Sequence, residues 1–171
     1  MNETILIAVA TPVLITLGGI ASWLLKAKRE ESLNQEAKSR EFKIETYKKI
    51  LEPFIAALTH TLSEKELQNE TDKIKTLEYK KIVFDLTTFG SDESLKIFNS
   101  IMQTFYNPEK YKGETPDEYS IRLLALLSEF VLQIRKDVYS KNTKLNRSEM
   151  LEFMITDMEQ NSEKINNYKF L

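Results

Sequence analysis

The chain holds 171 residues, with 24 basic against 26 acidic side chains, a single histidine and no cysteine. This length suits one compact domain beside a membrane segment, and the near-balanced charge supplies no field that would draw in nucleic acid, so no nucleic-acid partner is expected. Without cysteine there are no disulfides, thiolate metal sites or thiol nucleophiles; His60 alone makes no two-histidine zinc site; and Gly18, Gly19, Gly90 and Gly113 are too scattered for a phosphate-cradling loop.

Residues 4–25 carry no charge over about 22 positions, the length an α-helix needs to cross the hydrocarbon core of a bilayer. Residues 1–25 are therefore expected to be a transmembrane anchor. Glu3 stands where a secretory signal would carry lysine or arginine, and the run is longer than a signal's apolar region. Lys26, Lys28 and Arg29 follow at once, which by the positive-inside tendency puts the N-terminus outside and the body in the cytoplasm, and Trp23 sits where an interfacial aromatic belongs. Pro12 is expected to kink the anchor. Thr4, Ala8, Thr11, Ile15, Gly18 and Ser22 fall on one helical stripe, and Thr11, Gly18 and Ser22 are the small residues through which two anchors would pack, although such residues are common in any membrane helix.

Residues 26–43 contain good helix formers and no proline or glycine, so the helix is expected to continue as a juxtamembrane stalk. Leu33, Ala37, Arg40, Ile44, Tyr47, Leu51, Phe54 and Leu58 follow a heptad seam, read either as the first helix of a bundle or as a dimeric coiled coil. Pro53 is expected to bend or divide this helix, His60 to lie near its end as a structural side chain, and residues 63–72 to be a connector or a frayed helix start. The next helix, over 75–89, places Tyr79, Ile82, Val83, Leu86 and Phe89 on one face, with Gly90 as its left-handed C-cap. Ser91 caps a third helix, whose core face is Leu95, Phe98, Ile101, Met102 and Phe105.

Thr115, Pro116 and Glu118 make a capping box with proline at the first helical position. The helix that follows carries Leu123, Leu127, Phe130, Val131, Ile134 and Val138, broadened by Leu124 and Leu126, and is expected to be the central helix of the bundle. Asn146 and Glu149 predict one more capping box, opening a short helix with Met150, Leu151, Met154, Ile155 and Met158 on its apolar face. The sum is an all-α chain: an N-terminal transmembrane helix continuing into a stalk (26–43), a four- or five-helix cytoplasmic bundle (44–159) and a polar C-terminal tail (160–171).

Chemistry is sparse. Arg135, Lys136, Lys141, Lys144 and Arg147 form the one local concentration of cations, read as an anion-binding loop or as the ordinary cations of a helix C-terminus and a solvated loop. Asp85, Glu129 and Asp137 have no partner at a recognisable spacing, although Asp85 and Arg135 are placed to form a buried pair that would fix helix register. No catalytic residue, metal site or cofactor is expected, and the chain is not expected to be an enzyme.

The order of membrane helix, charged stalk, a helix closing on Phe89, Gly90, Ser91, Asp92 and Glu93, and a late helix ending Ile134, Arg135, Lys136 and Asp137 before Asn142, Thr143, Lys144 and Leu145 resembles bacterial membrane-anchored helical proteins of no assigned activity. Where those proteins often carry Leu-Gly after the Arg-Lys-Asp triplet, this chain has Val138 and Tyr139. The resemblance implies a bacterial inner-membrane location. With it, the sequence predicts a cytoplasmic module that tethers a protein partner at the bilayer. Two alternatives stay open: a membrane effector, for example in phage defence, gated by self-assembly or a small anionic ligand, and a structural homodimer joined through the stalk.

Overall fold

The computed structural model describes residues 3–59, 63–139 and 142–170, with backbone alone for helical residues 3–21, Thr71 and Pro108. The readings of His60 and Lys141, and the side-chain packing expected at Thr11 and Gly18, lie outside the described residues. Helices α1 (Glu3–Leu58), α2 (Glu64–Lys73), α3 (Leu77–Phe89), α4 (Asp92–Tyr106), α5 (Pro116–Val138) and α6 (Met158–Asn166) follow in order, with 3-10 turns at Pro108–Tyr111 and Ser148–Met150. The described residues are all-α, without a strand. Among them no helix is long and apolar enough to cross a membrane; the side chains of 3–21, where the anchor is expected, are not among them. Residues 1–42 form one compact unit and residues 43–171 another.

In the second unit α5 is central, packing against α4, α6 and the turn Ser148–Met150. Its Phe130 is fully buried, with Tyr47 of α1 edge-on at 6.2 Å between ring centroids and Phe98 of α4 tilted at 5.5 Å. The seam of α1 divides: Leu33, Ala37 and Arg40 are exposed, whereas Tyr47 and Phe54 are buried and Ile44, Leu51 and Leu58 half-buried, with Ile50 buried beside the seam. Its apolar half is thus the first core helix of the unit, as one of the two readings had it. Pro53 does not divide α1, which runs five residues further to Leu58, and its ring is buried beside Phe54.

Three expectations are corrected. Over 63–72, read as a connector or a frayed helix start, the chain forms a separate helix, α2 (Glu64–Lys73), because Ser63 and Glu66 close a capping box: the Ser63 amide and hydroxyl donate to Glu66 Oε2 at 2.9 and 2.6 Å, and the Glu66 amide donates to Ser63 Oγ at 3.4 Å. Glu64 and Glu66 in the first turn and Lys73 in the last complement the dipole, so α2 forms with little apolar burial.

Gly90 is not a left-handed cap; it is extended, at φ −72° and ψ 163°. Glycine is needed there for room, since a Cβ would stand 2.6 Å from both the backbone oxygen and Cδ1 of Leu86.

The helix expected from 146 onward is one 3-10 turn. The Asn146–Glu149 capping bonds form, at 2.6 and 3.1 Å, but Ser148 then exchanges hydrogen bonds with the Asn166 side chain, its amide donating to Oδ1 and its Oγ accepting from Nδ2, both at 3.1 Å. The backbone is committed sideways, Met150 and Leu151 turn into the core together, and Phe153 is left outside. The helix resumes as α6, across the boundary drawn at 159/160, and Ile165 is fully buried.

Candidate functional site

The segments 89–93 and 134–137 meet at Tyr47. The hydroxyl of Tyr47 donates to Asp137 Oδ2 at 2.6 Å, Lys43 Nζ donates to Oδ1 at 2.9 Å, and a Cβ on Gly90 would stand 3.4 Å from the same hydroxyl. Ser91 caps α4 by accepting from the Ser94 amide at 3.3 Å and donates its hydroxyl to Ser94 Oγ at 2.8 Å. Ser91, Glu93, Gln133, Lys136 and Asp137 line a cavity of about 370 Å³ beside this network. The 89–93 turn and the 134–137 helix end thus bracket one buried tyrosine.

Burial, and then the hydrogen bond to Asp137, push the Tyr47 phenol up to about 12, against a smaller opposite pull from the Ser94 hydroxyl and the Ser91 backbone. A phenol held protonated so far above neutrality, donating its hydrogen bond to Asp137, works as a lock between α1, the start of α4 and the end of α5.

No protein-family model, curated protein or solved structure matches this chain. What the chain does must therefore be read from its own residues.

A second network centres on Arg147. Its Nε donates to Glu129 Oε2 and its Nη1 reaches the carbonyl oxygens of Ile165, Asn166 and Tyr168 at 3.4, 3.1 and 2.7 Å, while the guanidinium lies 4.4 Å from the Phe170 ring centroid. Gln133 completes the site by donating to Glu129 Oε1. One arginine thereby caps α6 and holds the segment after it.

The cations read as an anion-binding loop lie apart from one another. Arg147 points inward to Glu129; Arg135 is exposed and donates to Thr143 Oγ1 at 3.2 Å, not to Asp85; Lys136 lines the cavity beside Asp137; and Lys144 is exposed in the loop. Glu129 and Asp137, which showed no partner at a regular spacing, both have partners 18 or more residues away.

The third network was missed entirely in the sequence. Arg122, 4% exposed on α5, donates Nε to both oxygens of Glu114 at 3.1 and 3.0 Å and Nη1 to Thr104 Oγ1 at 2.7 Å. Its guanidinium stacks 3.5 Å over the Tyr111 ring and lies 4.9 Å from the Tyr119 centroid. The available signal was the spacing of Arg122, Leu126 and Glu129, which places opposite charges at i and i+7 on the same buried stripe.

At the end of the uncharged run Ser22, Trp23, Lys28 and Arg29 are exposed, and Lys26 makes an exposed i,i+4 contact with Glu30 at 3.9 Å. Among the described residues no group of three metal-ligating side chains converges.

Proposed function

We propose that this chain is a single-pass bacterial inner-membrane protein, with the N-terminus outside, whose cytoplasmic helical domain tethers a protein partner at the bilayer. The observation that carries the membrane half is the exposure of Trp23, Leu24 and Leu25, at 67, 54 and 71%, on consecutive positions of α1. Three neighbouring side chains on a helix point in three directions, so an apolar solvent surrounding the helix covers them where a single docking partner does not. They close the uncharged run of residues 4–25, and Lys26, Lys28 and Arg29 stand directly after them as an interfacial cationic boundary. The likeness of the 89–93 and 134–137 segments to bacterial membrane-anchored helical proteins supports the same location.

The tethering half is supported by the outer face of α3. Leu77 and Phe84, seven residues apart, are each 70% exposed, and exposed Lys80 and Lys81 lie beside them. Thr87 and Thr88 turn their hydroxyls back onto the carbonyls of Val83 and Phe84, at 3.0 and 3.1 Å, so they add no free donor to this face. An apolar strip flanked by lysines suits an acidic amphipathic segment of a protein.

The test is affinity capture of the full chain from host membranes in mild detergent, alongside the Phe84→Glu variant. A stoichiometric protein retained by the parent and lost by the variant is expected. Recovery of the chain alone from both overturns the tethering reading.

A further inference from the structure

A cavity of about 250 Å³ lies where α4, the turn Pro108–Tyr111, α5 and the C-terminal segment come together. We infer that it is a binding site for a small anion carrying a flat ring, a function separate from the tethering face of α3.

The cationic end is built around Arg122. Glu114 occupies Nε and Thr104 occupies Nη1, whereas Nη2 lies 3.0 Å from Glu114 Oε2 as an ion pair and makes no hydrogen bond. A buried guanidinium N–H that makes no hydrogen bond is under-satisfied, and an anion entering the cavity would supply the acceptor. Lys110 lines the same cavity, 5.5 Å from the Tyr111 centroid, and the lining includes no acidic side chain. Asn99 and Gln103 add amides along α4.

The flat end is aromatic. Tyr111, Tyr168 and Phe170 line the cavity, the last two with ring centroids 5.5 Å apart. Tyr111 is already stacked under the Arg122 guanidinium, which fixes the arginine fork in place before any ligand arrives. The Tyr168 and Phe170 wall is itself held by Arg147, through the Tyr168 carbonyl and the Phe170 ring.

A comparison within the molecule separates this site from ordinary internal ion pairing. Arg147 is also an inward-turned arginine, but its Nη1 goes to three backbone carbonyls. Pairing with Glu114 and Thr104 gives hydrogen bonds to two nitrogens of Arg122, leaves the third in ionic contact with Glu114 but without a hydrogen bond, and makes no use of Lys110, Tyr168 or Phe170. The volume admits one ring and one anionic group, so the shared chemistry fits either a nucleoside monophosphate or an aromatic carboxylate, and a dinucleotide is too large.

The test is equilibrium binding to the purified full chain in detergent, by calorimetry, with adenosine monophosphate, benzoate, adenosine and inorganic phosphate as probes. Saturable binding of adenosine monophosphate, tighter than both adenosine and phosphate, assigns the nucleotide source; tighter binding of benzoate assigns the aromatic-acid source. Lys110→Glu and Asn99→Asp, both exposed and outside the core, are each expected to weaken that binding about tenfold or more, the loss of one charge-assisted contact, with an unchanged unfolding transition in the absence of probe. Phosphate binding as tightly as the ring-bearing probes overturns the inference, as does affinity unchanged in both variants. So does the absence of saturable binding for every probe at low millimolar concentration.

Discussion

Removing the Asp137 carboxylate tests the lock at Tyr47. In Asp137→Ala the Tyr47 hydroxyl, on a residue 2% exposed, loses a 2.6 Å hydrogen bond to a charged acceptor and is left buried without that acceptor, beside the Ser94 hydroxyl and the Ser91 backbone. Such a loss costs about 1.5–3 kcal/mol. Lys43 also loses its partner, but its side chain is 24% exposed and regains water, so its share is roughly 1 kcal/mol or less. Together they give a destabilisation of about 3 kcal/mol. Asp137→Asn keeps an acceptor for Tyr47 and loses the charge, with an expected cost of about 1–2 kcal/mol. Tyr47→Phe should cost about 1–1.5 kcal/mol, and the coupling in the Tyr47→Phe, Asp137→Ala cycle should be about 1.5 kcal/mol. The assay is denaturant unfolding of the full chain in detergent, followed by near-ultraviolet circular dichroism. A cost below about 0.5 kcal/mol for Asp137→Ala, with no coupling to Tyr47, refutes the lock.

The remaining predictions concern Tyr47, Tyr79, Gly90 and Ser128. The folded chain keeps the Tyr47 proton up to about pH 12, whereas an unfolded phenol releases it near 10, so the unfolded state binds fewer protons in that window and stability falls as pH rises through it. The loss is roughly 2–3 kcal/mol and should be smaller in Tyr47→Phe; buried Tyr79, which donates to the Ile50 carbonyl at 3.0 Å and is raised further by desolvation, should be the last tyrosine to ionise in an ultraviolet titration. Gly90→Ala and Gly90→Asn should both destabilise by about 1–3 kcal/mol, because each places a Cβ against Leu86; a left-handed cap would tolerate asparagine, so a neutral Gly90→Asn in thermal unfolding contradicts the close-approach account. Ser128 Oγ is fully buried without a partner, so Ser128→Ala should raise stability by up to about 1 kcal/mol, and a comparable loss would show that the hydroxyl is bonded after all.

The parts of the fold that were legible in the sequence are those set by local signals. The capping boxes at Thr115 and Asn146, the Ser91 cap and the stripe of α5 all depend on residues within one or two turns of each other, and each forms its bonds. Apolar period alone misjudged α2, whose helix rests on the Ser63–Glu66 cap and charge placement with few buried side chains. It also over-read 146–158, where a Ser148–Asn166 exchange across 18 residues redirects the backbone. The charged networks were hidden for the same reason: Asp137 finds Lys43 and Tyr47 at separations of 94 and 90 residues, and Arg122 finds Glu114 across the joint between two elements. Local spacing carries no record of pairs made by the packing of distant helices.

The membrane claim is tested most directly by alkaline carbonate extraction of host membranes containing the full chain, compared with a Leu14→Lys, Leu17→Lys variant. Charges near the middle of a spanning helix cost about 2.5–3.5 kcal/mol each, enough to prevent stable insertion of this single run. The account predicts that the parent stays with the membrane pellet and the variant moves to the soluble fraction. Release of the parent by carbonate, or retention of both proteins alike, would contradict the anchor and the tethering function built on it.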